Sequence, residues 1–145
     1  MDKQKVISTM QTAMADTYAL YLKTQNYHWH VTGPHFKPLH DLFEDQYNDL
    51  FQALDDVAER IITLGGESPA TFEEFQKLTN IKPGQKNLNS EAMVEDLRDD
   101  HQKVIESFRS VLHAAQEVDD EGTASLVGDR MADHEKMRWM LASSV

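Results

Sequence analysis

Apolar residues recur every three to four positions along most of the chain, and four long stretches keep that rhythm. In the first, Val6, Met10, Ala13, Thr17, Leu20, Tyr21 and Thr24 form one stripe, which predicts a helix from about Lys3 to Thr32. Gly33-Pro34 ends it, because proline cannot continue a helix and glycine readily leaves one. A second helix is predicted from Phe36 to Leu64, stopped by Gly65-Gly66. Pro38 falls in its first turn, where a missing amide hydrogen costs nothing. Ser90 is the expected N-cap of a third long helix with the stripe Val94, Leu97, Val104, Ile105, Phe108, Val111 and Leu112. An acidic bend from Glu117 to Gly122 then leads into a fourth, from Thr123 to about Ser143.

The connection from Gly65 to Asn89 is too long for a bare loop in a compact domain. Within it, Thr71-Phe-Glu-Glu-Phe-Gln-Lys-Leu carries a capping-box pattern with apolar residues at Phe72, Phe75 and Leu78, so a short helix is expected there. Two long helices, a long connection and two more long helices predict an all-α, four-helix bundle with one crossover, the connectivity of ferritin-like folds. No segment shows the period of a strand, and no Gly-rich phosphate loop or internal repeat is present.

The 145 residues suffice for one domain spanning 1–145 and are too few for two ordinary ones. The absence of cysteine excludes disulfides, thiolate metal sites and thiol catalysis. No apolar run approaches the roughly 20 residues that span a bilayer, and the N-terminus lacks the features of a secretory signal, so a cytoplasmic protein is expected. A formal charge of −11 disfavours partners recognised through phosphates and favours cations.

Cation chemistry has specific candidates. His28 and His40 flank the Gly33-Pro34 turn at similar heights on neighbouring antiparallel helices, and Glu44 follows His40 by one turn. With His40 at zero and ~100° per residue, Glu44 falls near ~40°, Asp55 near ~60° and Glu59 near ~100°. The core residues Phe43, Leu50, Leu54, Val57 and Ile61 gather near ~300° on the same scale, so the donors form a strip beside the core face. Imidazoles and carboxylates without thiolates suit iron, manganese or zinc.

Distance then intervenes. His40 and Asp55 are 15 residues apart, roughly 22 Å along one helix, whereas a bond from a metal to nitrogen or oxygen is about 2.0–2.2 Å. One chain therefore does not bring both ends of the strip to one ion. An antiparallel dimer would pair His28, His40 and Glu44 of one subunit with Asp55 and Glu59 of its mate, making two identical sites. Di-iron centres inside one bundle use paired Glu-x-x-His motifs, and this chain has none.

In Asn26-Tyr-His-Trp-His-Val-Thr-Gly-Pro-His-Phe, Leu39-His-Asp-Leu-Phe-Glu, Asp55-Asp-Val-Ala-Glu-Arg-Ile, Leu64-Gly-Gly and His134-Glu-Lys-Met-Arg-Trp-Met-Leu, the chain resembles the Dps proteins, or miniferritins. The resemblance implies a ferroxidase centre at His28, His40, Asp55 and Glu59, with Glu44 near a second metal position and Trp29 beside it. It also implies a hollow dodecamer that oxidises Fe(II), typically with hydrogen peroxide, and stores Fe(III) mineral; zinc in place of iron is a further expectation. In this family the region of Glu117, Asp120 and Glu121 lines pores that admit Fe(II), although Ser125 stands where some relatives place an acid. Relatives that condense DNA use Lys/Arg-rich tails, and only Lys3 and Lys5 stand in the N-terminal extension here.

Other readings remain open at this level. Glu44 serves as a ligand or as an ion-pair partner, and Trp29 as a redox donor or a plain interface aromatic. His30 and His35 suit surface or capping roles, and His101, His113 and His134 suit packing. A helical bundle with a structural metal at its dimer seam, or a DNA-compacting cage with minor ferroxidase activity, are the alternatives to an iron-oxidising cage.

Overall fold

Five helices follow one another as α1 (Gln4–His30), α2 (Phe36–Thr63), α3 (Phe72–Leu78), α4 (Ser90–Glu117) and α5 (Glu121–Ala142). The computed structural model describes residues 2–145, and among these there is no strand. α1 packs on α2, α4 on α5, and α1 on α4, giving the four-helix bundle that the periodicity predicts; α3 lies against α1. The core between them is made of side chains such as Met10, Leu20, Phe43, Leu50, Ile61, Leu97, Phe108 and Leu141, all fully buried.

Two glycines shape the hairpin of α1 and α2. Gly33 takes a φ of 107°, which L side chains rarely adopt, and its carbonyl accepts from the Phe36 amide at 3.1 Å. At the other end, a Cβ on Gly66 would fall 2.6 Å from Ile7 Cγ2, so only glycine lets the chain leave α2 so close to α1.

The helix boundaries differ from expectation by one or two residues, for reasons of capping. Asn89, not Ser90, caps α4, its side chain accepting from the Ala92 amide at 2.8 Å; Ser90 is the first helical residue. α5 begins at Glu121 rather than Thr123, because Asp120 accepts from the Thr123 amide at 3.1 Å. α1 ends at His30, with Val31 extended and buried. The short helix appears as expected, with Thr71 accepting from the Glu74 amide at 3.1 Å. Phe72 on it is 81% exposed, while Phe75 stacks on Tyr18 of α1 at 4.4 Å.

The crossover is held by two polar anchors on α1. Buried Asp16 accepts from the Thr79 hydroxyl at 2.7 Å, the Asn80 amide at 2.6 Å and the Ser107 hydroxyl of α4. Eleven residues on, the Tyr27 hydroxyl donates to Asp96 at 2.6 Å and accepts from the Gln85 amide at 3.1 Å. Burial and the Asp96 carboxylate push the Tyr27 phenol well above its ordinary range, so it remains a donor. Lys23, also buried, pairs with Asp96 and Asp100 at 3.0 and 2.7 Å. No helix is long and apolar enough to cross a membrane.

Candidate metal centre

His28 and His40 meet across the α1–α2 hairpin with their rings stacked 3.8 Å apart and 14° from parallel. His28 Nδ1 lies 2.7 Å from the His40 carbonyl, and His40 Nδ1 lies 2.8 Å from the His28 carbonyl. A carbonyl only accepts, so both Nδ1 atoms carry hydrogen, and Nε2 is the atom each ring offers a cation when neutral. The His28 carbonyl is free for this because it sits in the last turn of α1, where carbonyls lack an intrahelical donor. Backbone carbonyls holding the second ring nitrogen are a recurring support for metal-binding histidines.

Glu44 completes the group, its Oε1 3.7 Å from His28 Nε2. One donor atom from each of His28, His40 and Glu44 lies within 4.8 Å of the others. Two imidazoles and one half-exposed carboxylate leave open positions around a divalent first-row cation. Phe36 stacks on His40 at 4.9 Å, and Tyr47 stands edge-on to His28 at 5.2 Å. Burial raises the Tyr47 phenol, with Glu44 and Tyr21 adding to the shift.

Asp55 and Glu59 lie farther along α2, exposed, and among the described residues neither carboxylate has a hydrogen-bond or ion-pair partner. Asp55 lines a cleft of about 660 Å³ with Met14, Tyr18, Tyr21 and Phe51. Leu22, Trp29, Phe36, Phe51 and Ile62 are exposed apolar side chains of α1 and α2. Trp29 is 62% exposed. Within the protomer the structure thus brings together His28, His40 and Glu44 and leaves Asp55, Glu59 and Trp29 facing outward. Tyr47, Phe36 and Phe51 escaped the sequence reading; on the scale used above Phe51 falls near ~20°, within the donor strip, and Tyr47 and Phe36 near ~340° and ~320°, between that strip and the core face.

The sequence matches the model of a ferritin-like domain over residues 7–145. A low temperature-induced protein from Nostoc is 38% identical over 145 residues, covering 99% of this chain and 81% of its own length. DNA protection during starvation protein 2 of Bacillus anthracis is 35% identical over 141 residues, covering 97% of this chain and 96% of its own. The crystal structure of the Dps protein from Vibrio cholerae superposes with a TM-score of 0.93 at 32% identity, covering 97% of this chain and 89% of that one. This chain belongs to the Dps family of ferritin-like proteins.

The acidic bend of this Dps chain divides between surface and interior. Glu117 and Glu121 are exposed, as a role at a pore requires. Asp120 departs from that expectation: it is buried, caps α5, and pairs with Arg60 at 2.9 Å and Lys3 at 3.5 Å. Burial alone would raise its pKa, but hydrogen bonds from Thr123 together with Lys3 and Arg60 outweigh it and hold the carboxyl below its ordinary value. A charged residue in a loop reads as solvated until the helix after it is seen to need a cap.

The remaining histidines separate in the same way. His30 bonds to its own helix at Asn26, and His35 and His113 are exposed. His101 of α4 and His134 of α5 are fully buried, with their Nδ1 atoms 2.9 Å apart. Arg130 Nη2 lies 2.9 Å from His134 Nε2, and an arginine only donates. His134 therefore carries its hydrogen on Nδ1 and donates to His101, whose own hydrogen sits on Nε2, a buried atom without a partner among the described residues. Burial, reinforced by Arg130, holds the His101 pKa down at about 3 and lowers that of His134, so both stay neutral.

Proposed function

We propose that this Dps protein is a ferroxidase and iron-storage cage, whose catalytic pocket forms between two-fold-related subunits. Iron is the substrate: His28, His40 and Glu44 of one subunit, with Asp55 and Glu59 of its mate, hold Fe(II) and leave positions where peroxide reaches it. Two neighbouring Fe(II) ions and one hydrogen peroxide take up two protons and give two Fe(III) and two waters, so no hydroxyl radical leaves the site. Fe(III) then collects as mineral inside a dodecamer, and Glu117 and Glu121 draw Fe(II) inward by their charge. A cytoplasmic setting, and protection against iron and peroxide together, fit this chemistry. The described kinship of the Vibrio cholerae protein with ferritin-like diiron-carboxylate proteins supports iron as the metal.

One observation carries the reading: each imidazole is locked through Nδ1, which leaves Nε2 to a cation, while the unpartnered acids Asp55 and Glu59 stand on the same strip of α2. Mixed oligomers test it. His28→Ala and Asp55→Ala subunits should each lose most of the ferric absorbance that wild type develops with Fe(II) and peroxide. Mixing them at random should restore about a quarter of the wild-type sites, because half of the dimers are hybrids and each hybrid has one intact pocket. No restoration on mixing would show that the pocket is not shared. A bundle with only a structural metal would give no ferric absorbance at all.

A further inference from the structure

Phe36 is the first residue of α2, and its amide donates to the Gly33 carbonyl at 3.1 Å, so the turn that reverses the chain also sets where its ring begins. His40 stands one helical turn on. Helical side chains lean back toward the N-terminus, which lays the His40 imidazole against the ring four residues before it. Their centroids are 4.9 Å apart and their planes 24° from parallel. His28 is stacked on the same imidazole at 3.8 Å and 14°. One face has no room for both rings at these distances, so His40 is held between Phe36 and His28. His28 is buried and has its surroundings to hold it, whereas His40 is only half-buried. Its bond from Nδ1 to the His28 carbonyl fixes one atom and not the plane of the ring, and a single hydrogen bond is worth little net.

We propose that Phe36 is a positioning residue: its face clamps the His40 imidazole against His28 and so fixes the direction from which Nε2 meets an incoming cation. The proposal rests on the metal-binding pocket argued above and deepens it. Phe36 touches no reacting atom, and its effect is complete before any ion arrives. Without the clamp the ring tilts about its one hydrogen bond, and a cation must first select the aligned state, which lowers apparent affinity by the fraction of time that state is present. The chemistry that follows binding is unaltered. Removing the clamp therefore raises the Fe(II) concentration needed for half the maximal rate and leaves the saturated rate near its wild-type value.

Phe36 is 41% exposed, and an apolar ring there also suits a plain covering role at the turn or the subunit seam. The test accordingly removes the flat face and keeps the apolar bulk. Full-length Phe36→Leu and Phe36→Tyr are compared with wild type at equal oligomeric mass and helical content; if Phe36→Leu loses its assembly, Phe36→Met replaces it. In metal-free protein, exchange of the imidazole Cε1 hydrogen for deuterium, read by mass spectrometry of separated peptides, should be several-fold faster at His40 in Phe36→Leu. It should return to the wild-type rate in Phe36→Tyr and stay unchanged at exposed His113 in both. Co(II) should bind several-fold more weakly to Phe36→Leu and normally to Phe36→Tyr. Unchanged His40 exchange and Co(II) affinity in Phe36→Leu overturn the clamp, as does a Phe36→Tyr protein that fails to restore them. No Co(II) binding by wild type overturns the metal pocket and the clamp together. Co(II) binding that depends on Phe36, without ferric absorbance from Fe(II) and peroxide, supports the clamp and overturns only the ferroxidase reading.

Discussion

His28 and His40 each spend one ring nitrogen on the other's backbone carbonyl, so each ring is aimed by a main-chain atom that a side-chain substitution leaves in place. His40→Ala removes one donor and the ring stacked on His28, while the residue 40 carbonyl that holds His28 Nδ1 remains. Loss of a mere outer partner of a ligand costs about 10–100-fold in metal affinity, so loss of the donor itself should show at least that fall in a spectroscopic titration with Co(II). Glu44→Gln, which keeps the shape and removes the charge, should weaken the same titration less than His40→Ala does. The residue types and their spacing made these three donors legible in the sequence. Tyr47 was not, because a tyrosine beside metal donors carries no ligand signature and only its contact with His28 marks it.

The helices themselves were legible because each buries a stripe at helical spacing, and the Gly33-Pro34 and Gly65-Gly66 breaks that end the first two have local causes. The caps were less so, since Asn89 and Ser90 are equally good capping residues and nothing in their order decides between them. The crossover was legible only as a short helix; its attachment through Asp16 and Tyr27 depends on contacts more than fifty residues apart. Asp16→Ala would strand several part-buried donors at once. A loss on the order of 3 kcal/mol is expected in urea unfolding, with faster proteolysis near Thr79 and Asn80. Asp120→Ala should cost a similar amount, on the order of 3 kcal/mol, by removing a helix cap and leaving Arg60 without its buried partner.

Acid is the condition that the molecule as a whole should resist least. His101 and His134 are neutral when folded, whereas in an unfolded chain they titrate near the ordinary histidine value of about 6.5. The unfolded state thus binds more protons below that pH. Their contribution to stability is complete at neutral pH and declines as pH falls, by about 1.4 kcal/mol per unit for each histidine. For His101 the decline continues to about 3. Urea midpoints should drop between pH 6 and pH 4, and the slope should flatten in the double variant His101→Leu, His134→Gln even if that protein is weaker throughout. Charge governs the other whole-molecule expectation. At −11 per chain, the proposed dodecamer should repel a polyanion, and no stable DNA complex should form near neutral pH. A clear gel shift at moderate salt would contradict this.

The stacked pair between α1 and α2 has one more consequence, for repeated use. Its two rings are aimed by main-chain atoms before any cation arrives, so capture requires no search among rotamers and release leaves nothing to collapse. The entropy of setting the pocket is lost at folding, once per polypeptide rather than once per ion. A receptacle of that kind can be emptied and refilled indefinitely without losing its shape.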